Sequence, residues 1–284
     1  MIVAAAKVDQ DVDTLYRDGI VGLKGALPTE LIDDAREDIE RAFNEAITRE
    51  RGAVNRGPKR WYVEVHPEQI GAFESIVGHP WVHAMSAAVL GDAYRFVEVG
   101  FDVPFQGAQN QPWHRDFRSP EETWRDHRIT SLAFNLTAVD VTPDMGPFEI
   151  APGTHFEPGQ EWKHGMFPSK DEWPRYAAVA VRKFPTRGDI ACRTALTIHR
   201  GTAHASPVAR PVLIVGVVAG HVANPDEHDL AVTRAYYDSL APNVRDRLLC
   251  RIVERLEPIT QRHDIEGLVM GVEGDEPSMM GGAG

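Results

Sequence analysis

Trp113-His114-Arg115-Asp116-Phe117 decides how the rest of the chain is read. In an extended stretch alternate side chains share a face, so His114 and Asp116 turn the same way and set an imidazole beside a carboxylate. A His-x-Asp pair alone is weak. It gains weight from Ile198-His199-Arg200-Gly201-Thr202 far downstream, which offers a second imidazole, and from Arg210, which leads into an apolar run. Two histidines and one carboxylate from separate strands make a facial triad, which leaves open coordination positions and suits non-haem Fe(II) oxygen chemistry.

The chain holds 12 histidines, so position and company have to choose among them. His199 closes the run 190–198 that follows the Gly188-Asp189 turn, which predicts a place at a strand mouth. His204, in the turn beyond, is the competing third ligand. His155, in Ala151-Pro152-Gly153-Thr154-His155, reads as a turn anchor. His127 and His164 lie in polar, Trp-containing loops within reach of a substrate. His66, His79 and His83 read as packing or surface residues, and His221 and His228 have no ligand company. A hairpin after His199 would bring Arg210 beside it, about one ligand-length from the metal. A 2-oxo acid with a second carboxylate could then chelate the metal at one end and meet Arg210 at the other. Arginine presents a planar, permanently charged fork that lysine does not match.

With 284 residues, 43% of them hydrophobic, the chain is long enough to bury a sizeable core, and we read it as one domain over 1–284. A net charge of −12 opposes nucleic-acid binding, which needs a basic footprint. Cys192 and Cys250 make no disulfide framework and fit a reducing compartment. The apolar start, Met1 to Lys7, is too short for a signal peptide, and the longest apolar run, 212–219, is too short for a membrane span of ~20 residues. These features predict a soluble, cytoplasmic protein with no membrane or nucleic-acid partner. A homo-oligomer is possible but unsupported by the sequence.

Residues 1–93 read as an α-rich N-terminal support. A short helix over 11–18 ends at Gly19, and a strand follows over 20–23. Pro28 opens a long helix whose apolar residues, from Leu31 to Ile47, recur at helical spacing. Residues 51–59 read as a loop, 61–65 as a strand, and 73–90 as a second helix interrupted at Gly78-His79-Pro80. From Tyr94 to 222 the chain becomes strand-like, over 94–103, 111–117, 129–141, 147–151, 178–184, 189–199 and 211–221. Pro- and Gly-rich turns separate these runs, as in a sandwich or barrel. Helical signals return over 223–260, with an apolar stripe from Tyr236 to Leu256, and 275–284 reads as a flexible tail.

Taken together, these residues resemble the phytanoyl-CoA dioxygenase family of Fe(II)/2-oxoglutarate-dependent oxygenases. The resemblance runs from Asp18-Gly19-Ile20-Val21-Gly22-Leu23-Lys24-Gly25 through Trp113-His114-Arg115-Asp116, Asp144-Met145-Gly146-Pro147 and Ala151-Pro152-Gly153-Thr154-His155 to Gly188-Asp189, His199, Ser206 and Arg210. It implies a mainly β fold with flanking helices, the double-stranded β-helix or jelly-roll, cupin-like barrel. It implies iron held by His114, Asp116 and His199, and 2-oxoglutarate held through Arg210. Asn135, Gln111, Gln109 and Arg60 are further candidates for lining the co-substrate. The family often carries Asn where His204 stands and a small polar residue where Gly201 stands. Related halogenases have a small residue in place of Asp116, so a carboxylate there favours hydroxylation or another oxidation.

The implied reaction consumes O2 and 2-oxoglutarate, releases succinate and CO2, and hydroxylates an unactivated C–H of a small-molecule substrate. The loops 117–128 and 156–176 are placed to cover the open face of the triad. Trp113, Phe117, Arg118, Trp124 and Arg128 are the substrate candidates; Trp162, Lys163 and Trp173 stand in the second loop. Aromatic walls with sparse cations suit a mostly apolar substrate bearing a polar or anionic group, such as a compound of specialised metabolism. Two other readings stay open: a cupin-type metal enzyme that does not use 2-oxoglutarate, and a non-catalytic small-molecule binder.

Overall fold

The computed structural model describes residues 5–222, 228–262, 268–269 and 278–279. Helix α1 (Ala5–Asp18) runs into β1 (Ile20–Leu23), and Pro28 caps α2 (Thr29–Ala46). Strands β2 (Val54–Asn55) and β3 (Arg60–Glu64) are followed by α3 (Phe73–Val77), α4 (Pro80–Leu90) and β4 (Arg95–Pro104). Then come α5 (Glu121–Asp126), β5 (Ser131–Thr137), β6 (Phe148–Ile150), α6 (Trp173–Val179), β7 (Val181–Lys183), β8 (Ile190–Arg193), β9 (His199–Gly201) and β10 (Val212–Val218). The chain closes with β11 (Ala231–Thr233), α7 (Arg234–Ser239), α8 (Pro242–Arg245) and β12 (Arg251–Val253), then two short strands, Leu268–Val269 and Ser278–Met279.

The larger sheet has seven strands in the order β1-β8-β5-β10-β4-β3-β2, and the smaller has the order β7-β6-β9. Period-two alternation gives the large sheet two unlike faces. On β10, Leu213, Val215 and Val217 join Phe96, Val99 and Phe101 of β4 and Leu132, Phe134 and Leu136 of β5 in the main core. The N-terminal helices cover this face; Trp81 of α4 meets Phe134 edge-on at 6.1 Å. The opposite face mixes apolar side chains such as Val212 and Ile214 with the polar Glu98, Asp102, Asn135 and Arg193, and lines a cavity of about 1090 Å³ whose wall includes His199 and Phe148 of the smaller sheet. The architecture is the mainly β, jelly-roll barrel with flanking helices that the resemblance implied. Among the described residues no helix is long and apolar enough to cross a membrane.

Several elements differ from their sequence reading. Residues 111–117 form no strand: a single β-bridge joins His114 to His199, because Pro112 removes one ladder donor and the chain turns away after Asp116. The run 178–184 begins as the end of α6, and 189–199 is two strands, β8 and β9, split by a turn over 194–198. β9 and β10 make no hairpin; they belong to different sheets, so the route that predicted Arg210 beside His199 is incorrect. The stripe from Tyr236 to Leu256 is not one helix. Pro242 starts a separate turn of helix, Leu249 bonds to the Phe96 backbone, and β12 pairs in parallel with β11. The tail over 275–284 lies outside the described residues except for Ser278–Met279.

Candidate active site

His114, Asp116 and His199 offer ligand atoms that all lie within 4.8 Å of one another. His114 and His199 exchange two backbone bonds, at 3.0 and 2.8 Å, which bring their rings to a centroid distance of 4.4 Å. His114 Nδ1–H donates to Pro112 O at 2.9 Å and His199 Nδ1–H to Thr197 O at 2.8 Å. Each ring is thereby left with Nε2 as its lone-pair donor, an arrangement that fixes metal-binding imidazoles. Asp116 Oδ1 sits 3.3 Å from His199 Nε2, and Oδ2 accepts from Arg193 Nη1 at 2.7 Å. Burial alone would raise the Asp116 carboxyl; Arg193 first, then His199 and His114, hold it well below the ordinary carboxylate range. Burial, reinforced by His199, pushes His114 well below the ordinary imidazole range. Two imidazole nitrogens and one carboxylate with an open side fit a divalent iron ion. His204 does not compete: its two nitrogens lie 2.6 Å from Met145 O and 2.9 Å from Val208 O.

Arg210 is 4% exposed and lines the same cavity. Its Nε donates to Met145 O at 2.9 Å, and among the described residues no carboxylate pairs with it. Burial, with Arg60 nearby, lowers its pKa to about 10, which leaves it charged at neutral pH. Arg60 is spent in part on Asp102, through Nε at 2.9 Å and Nη2 at 2.7 Å, while its buried Nη1 has no partner. Two neighbouring guanidiniums with a single carboxylate, paired to Arg60, leave room for an anion. Asn135 also lines the cavity, with Oδ1 unpartnered, and Gln111 braces β9 by accepting from Gly201 N at 2.9 Å.

Not every candidate reaches the cavity. Gln109 is exposed and donates to Gly107 O instead. Trp113 alternates with His114 and so faces away. It is 1% exposed and packs with Tyr176 and under Arg200, whose Cζ lies 4.5 Å from its ring. Trp124 and Arg128 pack on the surface of the α5 turn, against Arg125 and Glu122. Phe117, Arg118 and His164 do line the cavity. His127 stacks on Phe156 at 4.5 Å.

The sequence reading missed two residues around the triad. Arg193, 6% exposed, holds Asp116; a cation at an inward position of an otherwise apolar strand was its signal. Arg115, wholly buried, faces the other way from the triad and donates to Gly165 O, Glu157 O and Pro158 O at 2.9, 2.7 and 2.7 Å. It ties the 156–167 loop to the ligand-bearing stretch. Other family-like pieces also meet: a Cβ on Gly19, at φ +78°, would overlap Thr197 and stand 2.9 Å from His155 Nδ1.

The family profile for phytanoyl-CoA dioxygenase matches residues 15–212. The chain belongs to the phytanoyl-CoA dioxygenase family. No curated protein matches it in sequence. Among solved structures it is similar to the non-heme alpha ketoglutarate dependent carbocyclase SnoK from nogalamycin biosynthesis, with TM-score 0.59, 18% identity and coverage of 74% of this chain and 83% of that one. It is likewise similar to the epimerase SnoN from the same biosynthesis, with TM-score 0.57, 18% identity and coverage of 76% and 84%. EctD from S. alaskensis, determined with 2-oxoglutarate and 5-hydroxyectoine, gives TM-score 0.58 at 14% identity, covering 76% of each chain. At these identities the likeness is one of fold, and this phytanoyl-CoA dioxygenase family member shares its barrel with enzymes of differing reaction outcome.

Proposed function

We propose that the protein is an Fe(II)/2-oxoglutarate-dependent dioxygenase that hydroxylates a C–H bond of a small, partly apolar metabolite. The observation that carries this reading is the presence in one cavity of the His114, Asp116 and His199 cluster and a buried Arg210 that makes no ion pair among the described residues. Iron in that cluster would supply oxidative decarboxylation of 2-oxoglutarate with O2, giving succinate and CO2.

The protein's own tasks are orientation and exclusion. His114 and His199 are locked in one tautomer by backbone carbonyls, and Arg193 keeps Asp116 ionised and turned toward them. Arg210, with Arg60 near it, would take the far carboxylate of the keto acid, and Asn135 lines the same cavity. Phe117 and Arg118 at the cavity wall, and the loop tied down by Arg115, would keep water from the reacting carbon. Retention of Asp116 supports oxygen insertion over halogenation.

A reading without 2-oxoglutarate leaves Arg210 unexplained: Asp102 is already paired with Arg60, and burying a second guanidinium beside that pair costs stability unless another anion meets it. The test is a crystal soak with Mn(II) and 2-oxoglutarate, paired with an assay of succinate release. Metal on all three ligands with a carboxylate on Arg210 is the expected result. Metal bound elsewhere, or no 2-oxoglutarate on Arg210, overturns the proposal.

A further inference from the structure

The cavity face of the large sheet is ordered by register. Glu98 on β4 stands opposite Gly216 on β10, Gly216 opposite Ala133 on β5, and Ala133 opposite Arg193 on β8. Arg193 holds the metal-ligand carboxylate of Asp116. One row across the sheet therefore runs from a carboxylate, over the two smallest side chains, to the triad. Three strand spacings of ~4.8 Å set its ends roughly 14 Å apart between Cα atoms. The trough is built: a Cβ on residue 216 would stand 2.6 Å from Glu98 Oε2, so the glycine lets Glu98 lie across the sheet. Gly100 does the same for Tyr62, whose hydroxyl donates to Glu98 Oε1.

Hydrogen-bond acceptors gather at the Glu98 end. Glu64, 7% exposed, lines the same wall; facing the two carboxylates is one imidazole donor, His228, 3.2 Å from Glu64 Oε1 and 3.9 Å from Glu98 Oε2. Independently, Ser131 is 7% exposed, lines the cavity two residues before Ala133 on β5, and has a buried Oγ with no partner. A buried hydroxyl without a partner is costly, and a ligand that meets it removes the cost. Of the other cavity cations, Lys24 and Arg193 lie toward the β1–β8 edge and are paired with Asp189 and Asp116, while Arg118 belongs to the 117–128 loop and Lys183 to β7. Near the acidic end, Arg56 lies over the Tyr62 ring at 5.2 Å, and Arg262 is exposed.

We propose that this trough binds a substrate carrying a protonated amine, held by Glu98 with Glu64 beside it, so that its carbon skeleton crosses Gly216 and Ala133 toward the triad, with Ser131 farther along β5 on the same face. The inference rests on the proposed function, whose substrate class it names. An ammonium group brings up to three donors to these carboxylates, beside those of Tyr62 and His228, and charge-assisted contacts of this kind are the stronger ones. Burial raises the Glu64 carboxyl, which a bound cation would offset.

The test uses the full chain, loaded anaerobically with Fe(II) and 2-oxoglutarate, and titrates it calorimetrically with cyclohexylamine, cyclohexanol and cyclohexanecarboxylate. The visible charge-transfer band of the Fe(II)–2-oxoglutarate chelate reports loading and folding. The expected result is that the amine binds at least about tenfold more tightly than the alcohol, the value of one charge-assisted contact. In Glu98→Gln that preference should vanish while the band remains. An amine that binds no better than the alcohol, or a preference that survives Glu98→Gln, overturns the inference. Absence of the band from the unaltered protein overturns the proposed function, whatever the amine does.

Discussion

The Arg60 guanidinium occupies the space that a side chain on residue 201 would need: a Cβ built on Gly201 falls within it. Gly201 directly follows Arg200 on the strand that starts with His199, so the glycine links the ligand strand to the cation beside Arg210. Gly201→Val should push Arg60 off Asp102 and raise the 2-oxoglutarate KM by about tenfold or more, with a smaller effect on metal affinity. Steady-state kinetics against 2-oxoglutarate, with metal binding measured separately, would check it; equal losses in both would count against this division.

Asp116 has two duties, and the triad variants should separate them. His114→Ala should lose metal with modest loss of stability. Asp116→Ala should lose metal and also strip Arg193 of its anion, which costs up to about 3 kcal/mol, less than a fully buried pair because the carboxylate is a third exposed. Thermal unfolding of the metal-free variants should therefore rank Asp116→Ala below His114→Ala. The reverse ranking would argue that the Arg193 pair contributes little.

Arg210→Lys keeps a charge but loses the fork and the Nε bond to Met145 O. It should raise the 2-oxoglutarate KM by roughly tenfold to a hundredfold, as expected for losing one strong charged contact. Metal binding, followed by calorimetry, should stay within error. Normal KM in Arg210→Lys would remove the residue from the co-substrate site.

Acid should destabilise the protein through its buried histidines. Burial pulls His155 from 6.5 to about 4, and it also lowers His66, His79 and His83. Between those values the unfolded chain binds more protons than the folded one. The stabilisation is thus complete above pH 6.5 and is lost as the pH falls through about 4. For His155 alone the loss is on the order of 3 kcal/mol. Unfolding midpoints at pH 7.5 and 4.5 should differ less in His155→Gln than in the unaltered protein; an identical difference would show that another group governs the acid limb.

The triad was legible because its signal is local: a two-residue spacing in one stretch and one histidine at the head of another. The barrel was legible from its alternating runs and their Pro- and Gly-rich breaks. What failed depended on which strand lies beside which. Nothing local shows that β9 and β10 belong to separate sheets, so Arg210 was expected near the metal by a path the chain does not take. The C-terminal stripe failed because Leu248, Leu249, Ile252 and Val253 mimic helical spacing while pairing as extended chain. Glu98, Gly100 and Asp102 alternate visibly, yet only register shows that Glu98 shares a row with Arg193. That register turns attention from the polar or anionic substrate group expected from the loops to the cationic one proposed above.

Arg115 gives the molecule a mechanical property. Its backbone sits between two ligand residues while its guanidinium grips three carbonyls of a loop at the cavity wall. The cavity-wall loop and the candidate metal cradle are therefore fastened back to back, like two leaves on one pin. Cleavage of the loop beside Lys163 should slacken the cradle, and a metal seated in the cradle should slow that cleavage.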